Sequence, residues 1–192
     1  MIRPTPTTLS GDVVQLVPLD LEHVPDLFTA GAYDEVWTWL PWPRPRTEED
    51  MAAQVSAALD DPDRIAFAVV HEGRAIGTSS YLDIDEAVGG LEIGGTWYTP
   101  PVWSTAVNAE CKMLMLGHAF DDLGAQRVLF KTDALNARSR AAISRLGAAY
   151  DGTLRHHRLR ADGSVRDSAY FSVLVAEWPQ VRAALLARLS RP

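Results

Sequence analysis

Between Leu91 and Asp122 the chain reads LEIGGTWYTPPVWSTAVNAECKMLMLGHAFDD, and the middle of that stretch is suited to holding an anion. Ser104, Thr105, Ala106, Val107, Asn108 and Ala109 follow Trp103 as a run of short side chains where a helix is predicted to begin. The first amides of a helix have no intrahelical acceptor, and the macrodipole adds positive potential at the same end. Short side chains let a phosphate reach those N–H groups. The same residues also describe an ordinary capped helix with nothing bound, because strand-loop-helix units are common.

The elements that must position this turn can be read on either side of it. Glu92 and Ile93 lead to Trp97 and Tyr98 in residue types that suit a strand. Thr99, Pro100 and Pro101 end any ladder, since proline has no N–H to donate. Ser104 or Thr105 is then placed to cap a helix. Val107, Cys111, Leu114, Met115 and His118 form one stripe of it, and Ala109, Met113, Leu116 and Phe120 a second. Only Asn108, Lys112 and Asp121 are left as a polar edge, which predicts a largely buried helix.

Elsewhere, residues 1–10 are Thr- and Pro-rich and are expected to form a flexible tail. Val13–Pro18 reads as a strand, and Asp20 and Thr47 as the caps of two helices. Strands are predicted at Ile65–His71 and Arg74–Tyr81 around the tight turn Glu72-Gly73, and again at Gln126–Thr132. Asn136–Leu146 reads as a short helix closed by Gly147. Two more extended runs, Tyr150–Arg160 and Ser168–Ala176, precede a last helix near Trp178. This order predicts an α+β fold, one domain over residues 1–192, with a mixed central sheet flanked by helices; an alternating βαβ wrap would need helices between Ile65 and Trp97 that the sequence does not offer.

With 192 residues the chain can bury about 70% of its unfolded surface. A net charge of −7 argues against a nucleic-acid surface. The single cysteine, Cys111, excludes an internal disulfide and falls on an apolar stripe. The sequence shows no apolar run near a membrane span and no basic-then-apolar leader, so a cytoplasmic location is expected by default. Five histidines without a second ligand at metal spacing predict no metal site. Hydrolase, kinase and dehydrogenase glycine motifs are missing. Arg155, His156, His157, Arg158 and Arg160 look like a basic patch, but a strand would split them between two faces.

Taken together, these residues resemble the GNAT N-acetyltransferases, and specifically the branch similar to the RimJ/RimL ribosomal-protein acetyltransferases. The resemblance runs from Pro18, Leu19 and His23 through Glu92-Ile93-Gly94, Trp97-Tyr98 and Trp103–Glu110 to Asp133–Gly147. Its most specific part is Asn136-Ala-Arg-Ser139 with the following Leu146-Gly147. The resemblance implies a GNAT-like, mostly antiparallel sheet and an acetyl-CoA co-substrate. Its pyrophosphate would lie at the turn Trp103–Ala109, and Trp97, Tyr98, Asn136 and Ser139 would contact the rest. The family's loop usually carries glycines; here Ser104, Ala106 and Asn108 stand at the aligned positions. Backbone amides serve without glycine, and the turn is expected to tolerate this because it need not require a positive φ. The acyl donor is left open between acetyl-CoA and another acyl-CoA.

Acetyl transfer from a thioester needs an aligned amine, a base and a stabilised acyl oxygen. The resemblance makes Glu92 the candidate base and Ser139 or Tyr98 the candidate proton donor to the departing thiolate. Glu92 also reads as a strand-edge carboxylate and Ser139 as an ordinary helix hydroxyl. The acceptor is expected to be a small-molecule amine or a peptide N-terminus, with a homodimer left open. Trp39, Trp42 and Arg44, among three prolines, are expected to form the mouth of the acceptor pocket, and Trp37 to be core. The alternative is a non-catalytic acyl-CoA-binding or interaction module on the same fold.

Overall fold

Residues 1–190 are described in the structure, a computed structural model. Along the chain lie β1 (Leu9–Ser10), β2 (Gln15–Pro18), α1 (Val24–Ala30), α2 (Asp34–Trp37), α3 (Glu48–Leu59), β3 (Ile65–His71), β4 (Arg74–Asp85) and β5 (Gly90–Tyr98). They are followed by α4 (Ala106–Gly117), β6 (Arg127–Asp133), α5 (Ala137–Arg145), β7 (Ala149–Leu159), β8 (Val165–Leu174) and α6 (Trp178–Leu189). The strands make one sheet in the order β1-β2-β3-β4-β5-β6-β8-β7. Every pairing is antiparallel except β5 with β6. This is the expected α+β fold with a mixed, mostly antiparallel sheet.

The local chemistry explains most boundaries. Glu72 and Gly73 both take left-handed φ, 50° and 76°, the requirement of the tight hairpin turn that joins β3 and β4. Thr47 and Asp50 exchange the two hydrogen bonds of a capping box at the start of α3. Asp20 does the same with His23, but over a 3-10 turn, Leu21–His23, that comes before α1.

The parallel pair decides where a ligand can go. β5 and β6 are bonded only from Gly90–Glu92 against Arg127–Leu129. Beyond Glu92 the two strands part. A register shift between Thr78 and Ser80 of β4 bends β5 at this point, and Gly95 takes φ 58° in the bulge. The β5 edge past Glu92 is therefore left without a partner strand, in the middle of the sheet rather than at its rim.

Each face of the sheet carries its own core. Tyr81, Ile93, Tyr98, Phe130 and Phe171 pack against α4 and α6 on one face. Leu27, Trp37, Met51, Val55, Ala68 and Trp97 pack with α1, α2 and α3 on the other. Alternation along β8 follows: Ala169, Phe171 and Val173 enter the α4 layer, which puts Arg166, Ser168 and Tyr170 on the opposite face.

Two expectations change. The N-terminal residues expected to be a tail are tied down, with the Ile2 amide donating to Leu123 O at 2.9 Å and β1 paired to β2. The carboxylate of Glu110 on α4 holds the next loop, accepting from the amides of Asp12, Val13 and Val14 at 3.0, 2.7 and 2.6 Å. Lys112, expected on the polar edge of its helix, is 5% exposed instead. Its ammonium donates to Ser79 Oγ (3.0 Å) and Thr96 Oγ1 (2.8 Å), two hydroxyls at the β4–β5 bulge that no helical pattern reveals.

Candidate functional site

Where β5 and β6 part, a cavity of about 430 Å³ opens between α4, α5 and the loop before α3. Its lining brings together residues far apart in sequence: Trp39 and Trp42, Arg64, Glu92 to Tyr98, Trp103 to Thr105 with Asn108, and Asn136 with Ser139.

The turn into α4 is built as a donor of amides. Trp103 anchors it from below, its Nε1 donating to Tyr98 O at 2.9 Å. Thr105 is the N-cap, with Oγ1 accepting from the Val107 amide at 3.3 Å. Ser104, Thr105 and Ala106 are exposed, Asn108 is half-buried, and Val107 and Ala109 point into the core. Ser104 adopts φ 65°. The turn therefore does require a left-handed residue, contrary to expectation, and serine holds it without the tolerance of glycine. Opposite, Asn136 caps α5 by accepting from the Ser139 amide at 3.0 Å. Ser139 is half-buried at the cavity wall. Arg138, between them, lays its guanidinium 3.4 Å from the Trp103 ring and so spans the gap between the α4 and α5 turns.

Glu92 is buried on the other side of the opening. Lys131 Nζ lies 2.5 Å from Glu92 Oε2, an ion pair off the line of a hydrogen bond, and 2.6 Å from Asp83 Oδ2. Burial pushes the Glu92 carboxyl above its ordinary pKa, with Lys131 pulling the other way. Lys131 is opposed by burial too, but its two carboxylates outweigh that and hold it charged. A side chain at Gly94 would collide with the Glu92 carboxylate, so glycine there leaves room for its chosen rotamer.

The predicted residues divide. Trp97 and Tyr98 line the cavity with their strand, but the Tyr98 hydroxyl turns into the α4 core, buried beside Cys111 and without a hydrogen-bond acceptor. Burial raises its pKa well above the usual phenol value. It does not reach the opening. Trp39 and Trp42 are at the cavity, as expected, and Trp37 is core, its indole donating to Gly31 O at 2.8 Å and tilted against Trp97. Arg44 does not line the cavity; its Nη1 is held by Asp34 at 2.8 Å. The arginine beside Trp42 is Arg64, 5.9 Å from the ring, which the sequence places in an unremarkable turn. Arg64, Lys131 and Arg166 carry no local motif, while Arg158 belongs to the basic run of β7 and alone of that run lines the cavity. One signal was available: the chain has only two lysines, Lys112 and Lys131, and both are buried at this cavity.

Residues 14–149 match the family model described as the acetyltransferase (GNAT) domain. A GCN5-related N-acetyltransferase from Brucella melitensis is similar in structure at TM-score 0.93 and 31% identity, over 97% of this chain and 87% of the other. The chain belongs to the GNAT acetyltransferase family. Two further solved structures share its fold at low identity. One is Mycobacterium smegmatis RimJ in complex with CoA-disulfide, at TM-score 0.83, 18% identity and 95% coverage of each chain. The other is RimL, the ribosomal L7/L12 alpha-N-protein acetyltransferase, at TM-score 0.77 and 16% identity over 88% of this chain and 94% of the other. No curated protein matches the chain.

Proposed function

We propose that this GNAT protein transfers an acetyl group from acetyl-CoA to a primary amine of a small molecule or a peptide N-terminus, in the manner of the RimJ/RimL-like branch and in the cytoplasm. The observation that carries this reading is the opening between β5 and β6, lined by the exposed first turn of α4 and, across the gap, by the buried carboxylate of Glu92.

The residues present fit acetyl-CoA. Ser104, Thr105 and Ala106 offer exposed backbone at a helix N-terminus, where a pyrophosphate is favoured. Arg145 and Arg188, on α5 and α6, add positive charge at the cavity wall. Asn136 and Ser139 border the path of the pantetheine arm. Bound there, acetyl-CoA supplies an already activated acyl thioester.

This chain's own residues then align the amine and move two protons. Glu92 takes the ammonium proton at a carboxylate oxygen, and its raised pKa brings its proton affinity closer to that of the ammonium it must deprotonate. Lys131 and Asp83 hold it in place. Ser139 Oγ is the proton donor to the departing sulfur; the Tyr98 hydroxyl is too deep in the core for that role. Trp39 and Trp42 shield the acceptor side from water.

Thiol release from acetyl-CoA, measured at steady state across a panel of amines, tests the reading. Amine-dependent release is the expected result. CoA-induced thermal stabilisation without any amine-dependent release would instead identify a binding module on a GNAT fold.

A further inference from the structure

The protein is acidic, at −7 overall, yet its central cavity is lined by eight cationic side chains against two carboxylates, Asp61 and Glu92. Among the described residues, most arginines fall into one of two groups, with only Arg140 and Arg155 in neither. Seven of them pair with a carboxylate, and none of those seven lines the cavity. Arg64, Arg138, Arg145, Arg158, Arg166 and Arg188 do line it, and none of these six forms a salt bridge among the described residues.

The donor side accounts for only part of this excess. Arg145 and Arg188 come from the helices that cover the α4 face, where phosphates are expected. Arg64, Arg158 and Arg166 belong to the opposite face, the side of Glu92 and the tryptophans. Arg64 is fixed by its Nε donating to Ser80 Oγ at 2.9 Å and by the Trp42 ring. Arg166 donates from Nε to Ser168 Oγ at 3.2 Å, so its terminal nitrogens are directed elsewhere. Arg158 stands directly across from Arg166 in the β7–β8 ladder. Like charges opposite one another destabilise a sheet. Burial lowers the Arg166 pKa, with Arg158 adding to it and Asp133 and Glu92 pulling the other way; burial likewise lowers that of Arg64 against the pull of Asp61. Arg64 and Arg166 are half-buried and Arg158 is exposed, none within salt-bridge distance of a carboxylate among the described residues and two of them facing each other, an arrangement suited to sharing one bound anion.

We infer that the acceptor is a small amine carrying a carboxylate or phosphate within a few bonds of its nitrogen, with Arg158 and Arg166 binding that anion beside Glu92 and Arg64 assisting from the tryptophan side. The inference rests on the acetyl-transfer reading for the identity of the ligand as acceptor. An acceptor of this kind brings Glu92 its ammonium and the arginines their missing counter-charge in one molecule. The apolar wall of Trp39, Leu40 and Trp42 faces whatever else the acceptor carries.

Matched acceptors test this. L-phenylalanine is compared with L-phenylalaninamide for the carboxylate, and O-phosphoethanolamine with ethanolamine for the phosphate, all at saturating acetyl-CoA. One anionic member should exceed its neutral partner in kcat/KM by tenfold or more, and which pair responds separates carboxylate from phosphate. In Arg166→Gln and in Arg158→Gln that ratio should collapse toward one. Arg155→Gln, on the same strand but outside the cavity, should keep it. Neutral amines turned over as well as anionic ones would overturn the anion site while leaving acetyl transfer standing. An equal loss in Arg155→Gln would overturn it too, by showing a bulk charge effect. Calorimetry with N-acetyl-L-phenylalanine, N-acetyl-L-phenylalaninamide and N-acetyl-O-phosphoethanolamine on the CoA-loaded protein reads the same site without turnover. If no amine releases thiol, anion-selective binding lost in Arg166→Gln would still uphold the site, and unselective or absent binding of all three would overturn it.

Discussion

The two sides of the cavity are made in different ways. The proposed donor side comes from two short stretches of chain, Trp103–Asn108 and Asn136–Ser139, each a loop followed at once by a helix. The proposed acceptor side draws on Trp39 and Trp42, Arg64, Glu92, Lys131 and the pair Arg158 and Arg166, from segments distributed over more than a hundred residues. Backbone amides at a helix start need only local sequence to be presented. A constellation of side-chain charges exists only once β4, β5, β6, β8 and β7 are ordered side by side. The donor side should thus depend on turn geometry, and the acceptor side on charge.

The sharpest way to break that contrast is Ala106→Asp. Aspartate in the first turn suits the α4 dipole, so the fold should be kept. A carboxylate beside the pyrophosphate should nonetheless abolish CoA-induced thermal stabilisation. A variant that binds CoA like the parent would move the donor site away from this turn.

On the other side, Glu92→Gln should lower kcat by about 100-fold with the fold retained, since a positioned base is removed. The parent should also lose activity as pH falls through the Glu92 pKa, which burial places above the usual carboxylate range, and the variant should lack that acidic limb. Stability carries the opposite sign. A raised folded-state pKa means the folded protein binds that proton more tightly than the unfolded chain, so this carboxyl's contribution is greatest in acid and is lost as pH rises through the folded value.

Ser139→Ala probes the boundary between the two sides. An approximately tenfold loss in kcat, with KM for acetyl-CoA little changed, would mark a group acting in the transition state. An unchanged kcat would leave the thiolate to be protonated by water. The smallest effect belongs to Ser104→Gly. Relief of the left-handed serine should stabilise by about 1 kcal/mol at most, reduced by the greater freedom of glycine in the unfolded chain. A rise in Tm of a few degrees or less, with no weakening of CoA binding, is the expected result.

Much of the fold was legible, for reasons that differ by element. Capping at Thr47, Thr105 and Asn136 and the turn at Glu72-Gly73 are short-range hydrogen bonding and φ requirements, and they appear where the residue types place them. The left-handed Ser104 was missed because serine carries no such mark. Lys112 was read as a surface residue because helical periodicity records position, not the two hydroxyls that a bulge on another strand provides. Arg44 was placed at the pocket mouth by proximity to Trp42 in sequence, but Asp34 holds it, and Arg64 takes that place from across the chain.

The sequence by itself determined the class of the fold, the helix starts and the amide-rich turn at Ser104–Ala109, because these depend on interactions within a few residues. It also placed a carboxylate, Glu92, on the central strand. Only the tertiary structure decided that β5 and β6 part beyond Glu92 and Leu129, that Tyr98 turns its hydroxyl into the core, and that Lys131 meets Glu92. Among the described residues, it alone gathered six arginines without a salt-bridge partner around one cavity. Those outcomes follow from strand order, register and a single bulge, which bring together residues that share no local sequence signal.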